Sequence, residues 1–177
     1  MSFLFEEGGI LMADARACAY SYLYETSSLC DYEIATDLLA SRIGLAMHDV
    51  KHSDLKFLVE LVYHANGSMR GKCAITEEDL KMCNDLYEDY LEKVGPCKMF
   101  VLPCGCRGAS VLHCLRSETK SIIRILAKID CEPNRVKNKN IHQFFNLLSN
   151  LFFLMALYEN KQENVKESEF VSKSYEC

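Results

Sequence analysis

The sequence predicts an all-α fold, a bundle of five or six long helices, on three observations. Apolar residues recur three and four positions apart through most of the 177 residues, which is the spacing of one helix face. Glycine and proline are scarce, at 8 and 3, whereas a many-stranded architecture needs many turns. No segment sustains the alternation of a half-buried strand, and no repeat has a solenoid period.

The elements follow in order. Met1 to Ile10 is short and mixed and reads as a loosely docked end. A first helix is expected over about Met12 to Cys30, where MADARACAY is alanine-rich, with Thr26-Ser27-Ser28 as a break that starts the next helix. Asp31 to His48 follows, with Ile34, Leu38, Ile43 and Leu45 expected on one apolar side and Ala35, Ala40 and Gly44 as small packing residues. Lys51 to Asn66 repeats the pattern, with Ser53 as N-cap and Asn66-Gly67 as the stop before a basic loop to Cys73. Thr76 caps a helix whose first turn carries Glu77, Glu78 and Asp79, placed where the helix dipole favours acids. Its apolar face is read as Leu80, Cys83, Tyr87, Tyr90 and Leu91, and Gly95-Pro96 ends it. After the next helix, Asp130 to Asn140 is a polar loop. The last helix runs from about Ile141 to Lys161, and the polar tail from Gln162 is expected to fray.

One domain is expected over 1–177, with its core at about 12–161 and the tail at 162–177. Hydrophobic content of 49% and charged content of 25% are ordinary for a globular chain, and a net charge of -5 argues against a general nucleic-acid binder. The apolar run Phe144 to Tyr158 is interrupted by Asn146, Ser149 and Asn150, and reads as a buried helix rather than a membrane span. Met1 to Ile10 carries Glu6 and Glu7 and no basic n-region, so no export signal is expected and the expected compartment is the cytoplasm. Ten cysteines are scattered through helical patterns rather than packed in a short loop-rich chain, which favours reduced thiols. Cys97, Cys104 and Cys106 with His113 allow a thiol-metal site, but a second CxxC-like arm is missing.

The chain is organised around Phe100 to Arg124, FVLPCGCRGASVLHCLRSETKSIIR. Phe100-Val101-Leu102-Pro103 enters extended, Cys104-Gly105-Cys106 turns, and a helix follows to about Lys128 with Val111, Leu112, Leu115, Ile122, Ile123 and Leu126 at helical spacing. His113, Arg116, Lys120 and Arg124 fall three or four residues apart and share one side. A solvated face with salt bridges would place them so, and so would a ligand site.

This stretch resembles the signature of the propanediol-utilisation type of ATP:cob(I)alamin adenosyltransferase. The FVLP run, Gly105, Ala109, Leu112, His113, Arg116 and Arg124 fit without a gap. Asp37 to Ala46, DLLASRIGLA, resembles a second family segment, and Asn146 to Phe153, NLLSNLFF, a third; Ala13 to Tyr20 is a weaker fourth, through Asp14, Arg16, Ala19 and Tyr20. The resemblance implies a five-helix up-and-down bundle, ferritin-like in architecture, that assembles as a homotrimer with active sites between subunits. It implies cobalamin and ATP as substrates with Mg2+, a reductase or cobalamin-dependent enzyme as partner, and no role for nucleic acid or membrane.

The implied chemistry is attack of cobalamin Co(I) on the 5′ carbon of ATP, with triphosphate leaving. By position, Phe100 would displace the lower axial ligand of Co(II), and Arg116 would pair across subunits with Asp37. Asn146 would lie near the nucleotide, with Lys120, Arg124 and Arg16 as cations for the phosphates; His113 is expected to be a hydrogen-bonded structural histidine. Several family residues are replaced. The N-terminal phosphate loop has only Gly8-Gly9 in its place, Met12 stands for a lysine, Cys18 for a glutamate, Ile123 for a carboxylate and Leu147 for an arginine. Arg70 and Lys72 are the remaining spare cations. The sequence therefore leaves open a divergent adenosyltransferase, a corrinoid-binding bundle without turnover, and a purely structural bundle.

Overall fold

The computed structural model describes Arg16 and residues 19–20, 22–50, 54–96, 99–133, 135 and 137–174. Among the described residues five helices make up the fold: α1 (Ser28–Ala46), α2 (Asp54–Ser68), α3 (Glu77–Val94), α4 (Arg107–Ile129) and α5 (Lys139–Gln162). Their directions alternate along the chain. In space the order is α2, α1, α4, α5, α3, so α4 and α5 lie at the centre. One end of the bundle gathers the N-termini of α1, α3 and α5. The other gathers the N-termini of α2 and α4 and carries Phe100.

The core is a single apolar cluster. Phe144, Phe145, Leu148, Leu151, Phe152 and Met155 of α5 meet Leu112, Leu115, Ile122 and Leu126 of α4, with Tyr32, Leu39 and Ile43 of α1 behind them. This is where the apolar run of α5 goes. The helix is long and apolar enough to cross a membrane by composition, but its side chains are the buried centre of the bundle. Tyr32 lies edge-on to Phe145 with ring centroids 6.1 Å apart and donates its hydroxyl to Ala65 O at 2.7 Å, so its one polar atom is satisfied inside the core.

Local signals set the helix ends. Thr76 closes a reciprocal capping box: its hydroxyl accepts from Asp79 N at 3.2 Å, and the Asp79 carboxylate accepts from Thr76 N at 2.8 Å. Asn138 caps α5 through Ile141 N. The Sγ of Cys106 accepts from Ala109 N at 3.4 Å and caps α4.

Several expectations are corrected. The helix expected over Met12 to Cys30 is a turn from Tyr22 to Tyr24, followed by bends at Thr26 and Ser27; most of its first half, and the Ser53 cap, lie outside the described residues. Arg70 holds this segment against the bundle: its guanidinium lies 4.0 Å over the Tyr22 ring and binds Glu25. In α1, Ile34, Leu38 and Leu45 do not join Ile43 in the core; they are 47%, 47% and 63% exposed, and the buried face is Leu29, Tyr32, Thr36, Leu39, Ile43 and Ala46. In α3, Leu91 turns outward. Asn66-Gly67 does not stop α2, which continues to Ser68.

The described part of the C-terminal tail, residues 163–174, is tied to the bundle rather than frayed. After α5, Asn164 adopts a left-handed φ of 54°, a conformation asparagine tolerates, and the chain turns back along the bundle. Val101 and Glu169 then form an antiparallel bridge. Leu102 N donates to Ser168 O at 2.8 Å and Phe170 N to Phe100 O at 2.7 Å. An extended segment with free amides and carbonyls is a ready template for such pairing.

Candidate functional site at the Phe100 end and along α4

Phe100 is extended and 83% exposed, the most open large apolar side chain described. It is exposed without being loose, because its carbonyl and the Leu102 amide are tied to the tail. The turn that follows depends on Gly105, whose φ of +137° disfavours any side chain. A Cβ there would also overlap the Asn160 side-chain amide. The extended lead-in, the turn and the helix start read from the sequence are therefore all present.

Along α4, His113, Arg116, Lys120 and Arg124 do share a side but not an environment. His113 is 2% exposed, packed 6.1 Å from the Phe153 ring, and neither ring nitrogen has a hydrogen bond within the described chain. It is not the hydrogen-bonded structural histidine expected. Burial first, and the nearby Arg116 second, lower its pKa to about 4. Arg116 is half-buried; its guanidinium lies 5.5 Å from the Phe153 centroid and its Nε is buried without a partner. Lys120 and Arg124 are exposed and form no ion pair among the described residues.

The antiparallel register of α4 and α5 is fixed by His113 against Phe153 and by Ser149 Oγ against Arg116 O. One turn further along both helices, Lys120 stands level with Asn146. Asn146 is exposed and donates to His142 O in its own helix at 2.8 Å, so it is not a buried amide. Arg116, Lys120 and Asn146 thus flank one strip of surface between the two central helices.

Asp37 lies elsewhere. It is exposed on α1 and accepts from the Tyr63 hydroxyl of α2 at 2.9 Å. Within one chain Asp37 and Arg116 form no ion pair; Arg42 of α1 instead pairs with Glu118 of α4. Around Asp37, the apolar Ile34, Leu38, Leu45 and Tyr63 are all open to solvent.

Arg70 is excluded as a spare phosphate cation. It sits at the opposite end of the bundle, bidentate to Glu33 at 2.6 and 2.9 Å and bound to Glu25 at 3.0 and 2.8 Å. Arg16 is exposed; Gly8-Gly9, Met12 and Cys18 lie outside the described residues. Cys97 does too, and among the described residues no three His, Cys, Asp or Glu side chains converge as a metal site. The described cysteines Cys30, Cys73, Cys83, Cys104, Cys106, Cys114 and Cys131 are unbridged.

Two participants are not legible in the sequence. Tyr63 holds Asp37, and Asn160 holds the turn before α4. Both act across long separations, and neither belongs to a local pattern. The only sequence signal at the second place is Gly105, which marks a turn without naming what fills the space beside it.

Comparison with known proteins identifies the family and the fold. The cobalamin adenosyltransferase family profile matches residues 5–159. The chain is 27% identical to a corrinoid adenosyltransferase of Citrobacter freundii over 141 residues, covering 73% of this chain and 79% of that protein. It is 26% identical to a corrinoid adenosyltransferase of Bacillus subtilis strain 168 over 151 residues, covering 76% and 75%. Among solved structures, a phenylalanine-to-alanine variant of the PduO-type ATP:corrinoid adenosyltransferase from Lactobacillus reuteri, complexed with cobalamin and ATP, superposes with a TM-score of 0.75 at 21% identity, covering 85% of this chain and 90% of that one. An arginine-to-lysine variant of the same enzyme complexed with ATP gives 0.75 at 22% identity, covering 84% and 90%. The chain belongs to the cobalamin adenosyltransferase family.

Proposed function

We propose that this protein is an ATP:corrinoid adenosyltransferase that works at the interface of a homotrimer in the cytoplasm. Reduced cobalamin, as Co(I), supplies the electron pair that forms the Co–C bond to the 5′ carbon of ATP; the C–O bond breaks and triphosphate leaves with its electrons. Two solved relatives of similar fold are complexed with cobalamin and ATP, or with ATP.

The observation that carries the reading is Phe100. A phenylalanine 83% exposed, with its carbonyl and the following Leu102 amide both tied to the tail, is a fixed apolar face awaiting a large flat partner. The corrin ring is such a partner. Against it, Phe100 excludes water and the lower axial ligand, which favours four-coordinate Co(II) and eases its reduction. Arg116, which forms no ion pair with a carboxylate among the described residues, takes Asp37 of a neighbouring subunit; the open Ile34, Leu38, Leu45 and Tyr63 around Asp37 supply the apolar contact area. Lys120 and Arg124 face the triphosphate, with Asn146 level with Lys120 at the nucleotide and Arg16 approaching from the N-terminal side. Mg2+ enters our reading as the ion that ATP phosphates carry with them.

The deciding experiment is anaerobic incubation with reduced cobalamin and Mg-ATP, followed by absorbance, with an ATP-free control. Light-sensitive adenosylcobalamin is the expected product. Four-coordinate Co(II) without product would leave a corrinoid-binding protein, and an unchanged spectrum would leave a structural bundle.

A further inference from the structure

Asn160 lies near the end of α5, 1% exposed, and every polar atom of its side chain is used. Its Oδ1 accepts from Cys106 N at 2.9 Å, and its Nδ2 donates to Cys104 O at 3.2 Å and to Glu167 Oε1 at 2.9 Å. Its own carbonyl accepts from Val165 N at 2.8 Å. One amide therefore grips both sides of Gly105 and the returning tail together.

The tail in turn grips the segment before the turn. Glu167 is followed by Ser168, whose carbonyl holds Leu102, and by Phe170, whose amide holds Phe100. The result is a closed frame: Asn160 to the turn, the turn to Phe100, Phe100 to the tail, and the tail back to Asn160. Glycine is the only residue type that fits at position 105 inside it, since a side chain there would occupy the space of the Asn160 amide. Glu167 enters the frame through Oε1 alone, its Oε2 being buried with no hydrogen bond among the described residues. Asn160 is the member whose side-chain polar atoms are all met, and a satisfied buried amide holds its neighbours rigidly.

We propose that Asn160 is a positioning residue for the adenosyl transfer, setting the place of Phe100 through the turn and the tail. This rests on the adenosyltransferase reading above. A phenylalanine that must exclude a ligand from one face of a metal loses its effect when displaced by about 1 Å, because positioning errors of that size cost about a hundredfold in rate. Asn160 is buried with every side-chain polar atom committed to the turn and the tail, so it acts through Phe100.

The test uses the full chain with Asn160→Asp, alone and with Glu167→Gln. The substituted aspartate keeps the acceptor for Cys106 N but turns an oxygen toward the Cys104 carbonyl and the Glu167 carboxylate. In the double variant the substituted glutamine offers an amide donor to that aspartate and rebuilds the tail arm with its polarity reversed. Hydrogen–deuterium exchange should rise about tenfold at the Leu102, Cys106 and Phe170 amides in the single variant and fall back in the double. Turnover should drop about tenfold or more with KM for ATP nearly unchanged, four-coordinate Co(II) should diminish, and the double variant should recover roughly a third or more of the lost activity. Unchanged exchange at those amides would overturn the proposal, as would faster exchange with wild-type turnover. If the unaltered chain forms no adenosylcobalamin, the adenosyltransferase reading fails by itself, and the exchange arm alone decides whether Asn160 holds Phe100.

Discussion

His113 is buried against Phe153, ring centroids 6.1 Å apart, with neither imidazole nitrogen hydrogen-bonded within the described chain. A neutral imidazole in that place tolerates burial far better than a charged one. Unfolded, it takes up a proton near 6.5; folded, near 4. Between those values the unfolded state binds more protons, so stability falls as the pH drops from about 6.5 toward 4. The loss approaches about 3 kcal/mol at about 1.4 kcal/mol per pKa unit. Urea titrations across that window should show this slope, and His113→Phe should flatten it. An equal slope in the variant would assign the acid sensitivity to other groups.

The Arg70 guanidinium joins Glu33, 8% exposed at its side chain, to Glu25, 31% exposed. The Arg70 hydrogen bond holds the Glu25 carboxyl below its usual range, so this contribution is present at neutral pH and is lost as the pH falls through the lowered value. Arg70→Ala strands a buried carboxylate and should cost about 3 kcal/mol. Glu25→Ala, removing the more exposed partner, should cost about 1 kcal/mol or less. Urea denaturation at neutral pH distinguishes them, and equal losses would contradict the difference in burial.

The helices are legible because their evidence is local. The Thr76 cap, the polar loop before α5 and the periodic apolar residues of α4 and α5 each lie within a few residues of what they determine. The outward Ile34, Leu38 and Leu45 show where local reasoning fails. Their spacing on α1 is a helical face like any other, and only the packing of α4 and α2 decides which face is covered. The candidate site divides the same way. Phe100, Gly105 and Arg116 stand in one ungapped run and can be found from it. His113 stands in the same run, but its lack of a partner depends on what α5 brings to it. Asn160 lies 54 residues from Cys106 in sequence, and the tail that completes its frame looks in composition like any frayed end.

The capping box at α3 offers a separable test. Thr76 and Asp79 are exposed and far from Phe100, so their effect is on stability alone. Thr76→Ala should cost about 1 kcal/mol, and Asp79→Ala a similar amount, with the double variant costing less than the sum because both remove one reciprocal pair. Thermal or urea unfolding of the three variants measures it; strict additivity would mean the two hydrogen bonds act independently.

Gly105→Ala should be the most damaging single-methyl change near the site. The residue must leave its φ of +137° or push the Asn160 amide aside. Backbone strain of about 1–3 kcal/mol adds to about 1 kcal/mol for each Asn160 hydrogen bond disrupted. Gly95→Ala is the matched control: its φ of +80° is also left-handed, but no heavy atom waits within 4 Å of a new Cβ. Gly105→Ala should lose clearly more stability than Gly95→Ala and should expose the Leu102 and Cys106 amides to exchange. Equal losses would reduce Gly105 to a matter of backbone conformation.

In the proposed trimer, Arg116 and Asp37 would meet across subunits. Each is unanswered by the other within one chain: Arg116 Nε is buried without a hydrogen-bond partner among the described residues, and Asp37 is met by the Tyr63 hydroxyl. A pair made across subunits explains both. Asp37→Arg should then place two cations at each contact and dissociate the trimer, and Arg116→Asp should do the same with two anions, because truncating or reversing one partner of a desolvated pair costs about 2–5 kcal/mol. Combining the two reversals restores opposite charges, so the double variant should reassemble at least in part. Sedimentation velocity reads the three states directly. Trimers in both single variants would mean that the two residues meet no partner charge, and would leave the open apolar strip of α1 as the whole interface. Monomers in the double variant as well would show that each residue matters for a reason other than the pair.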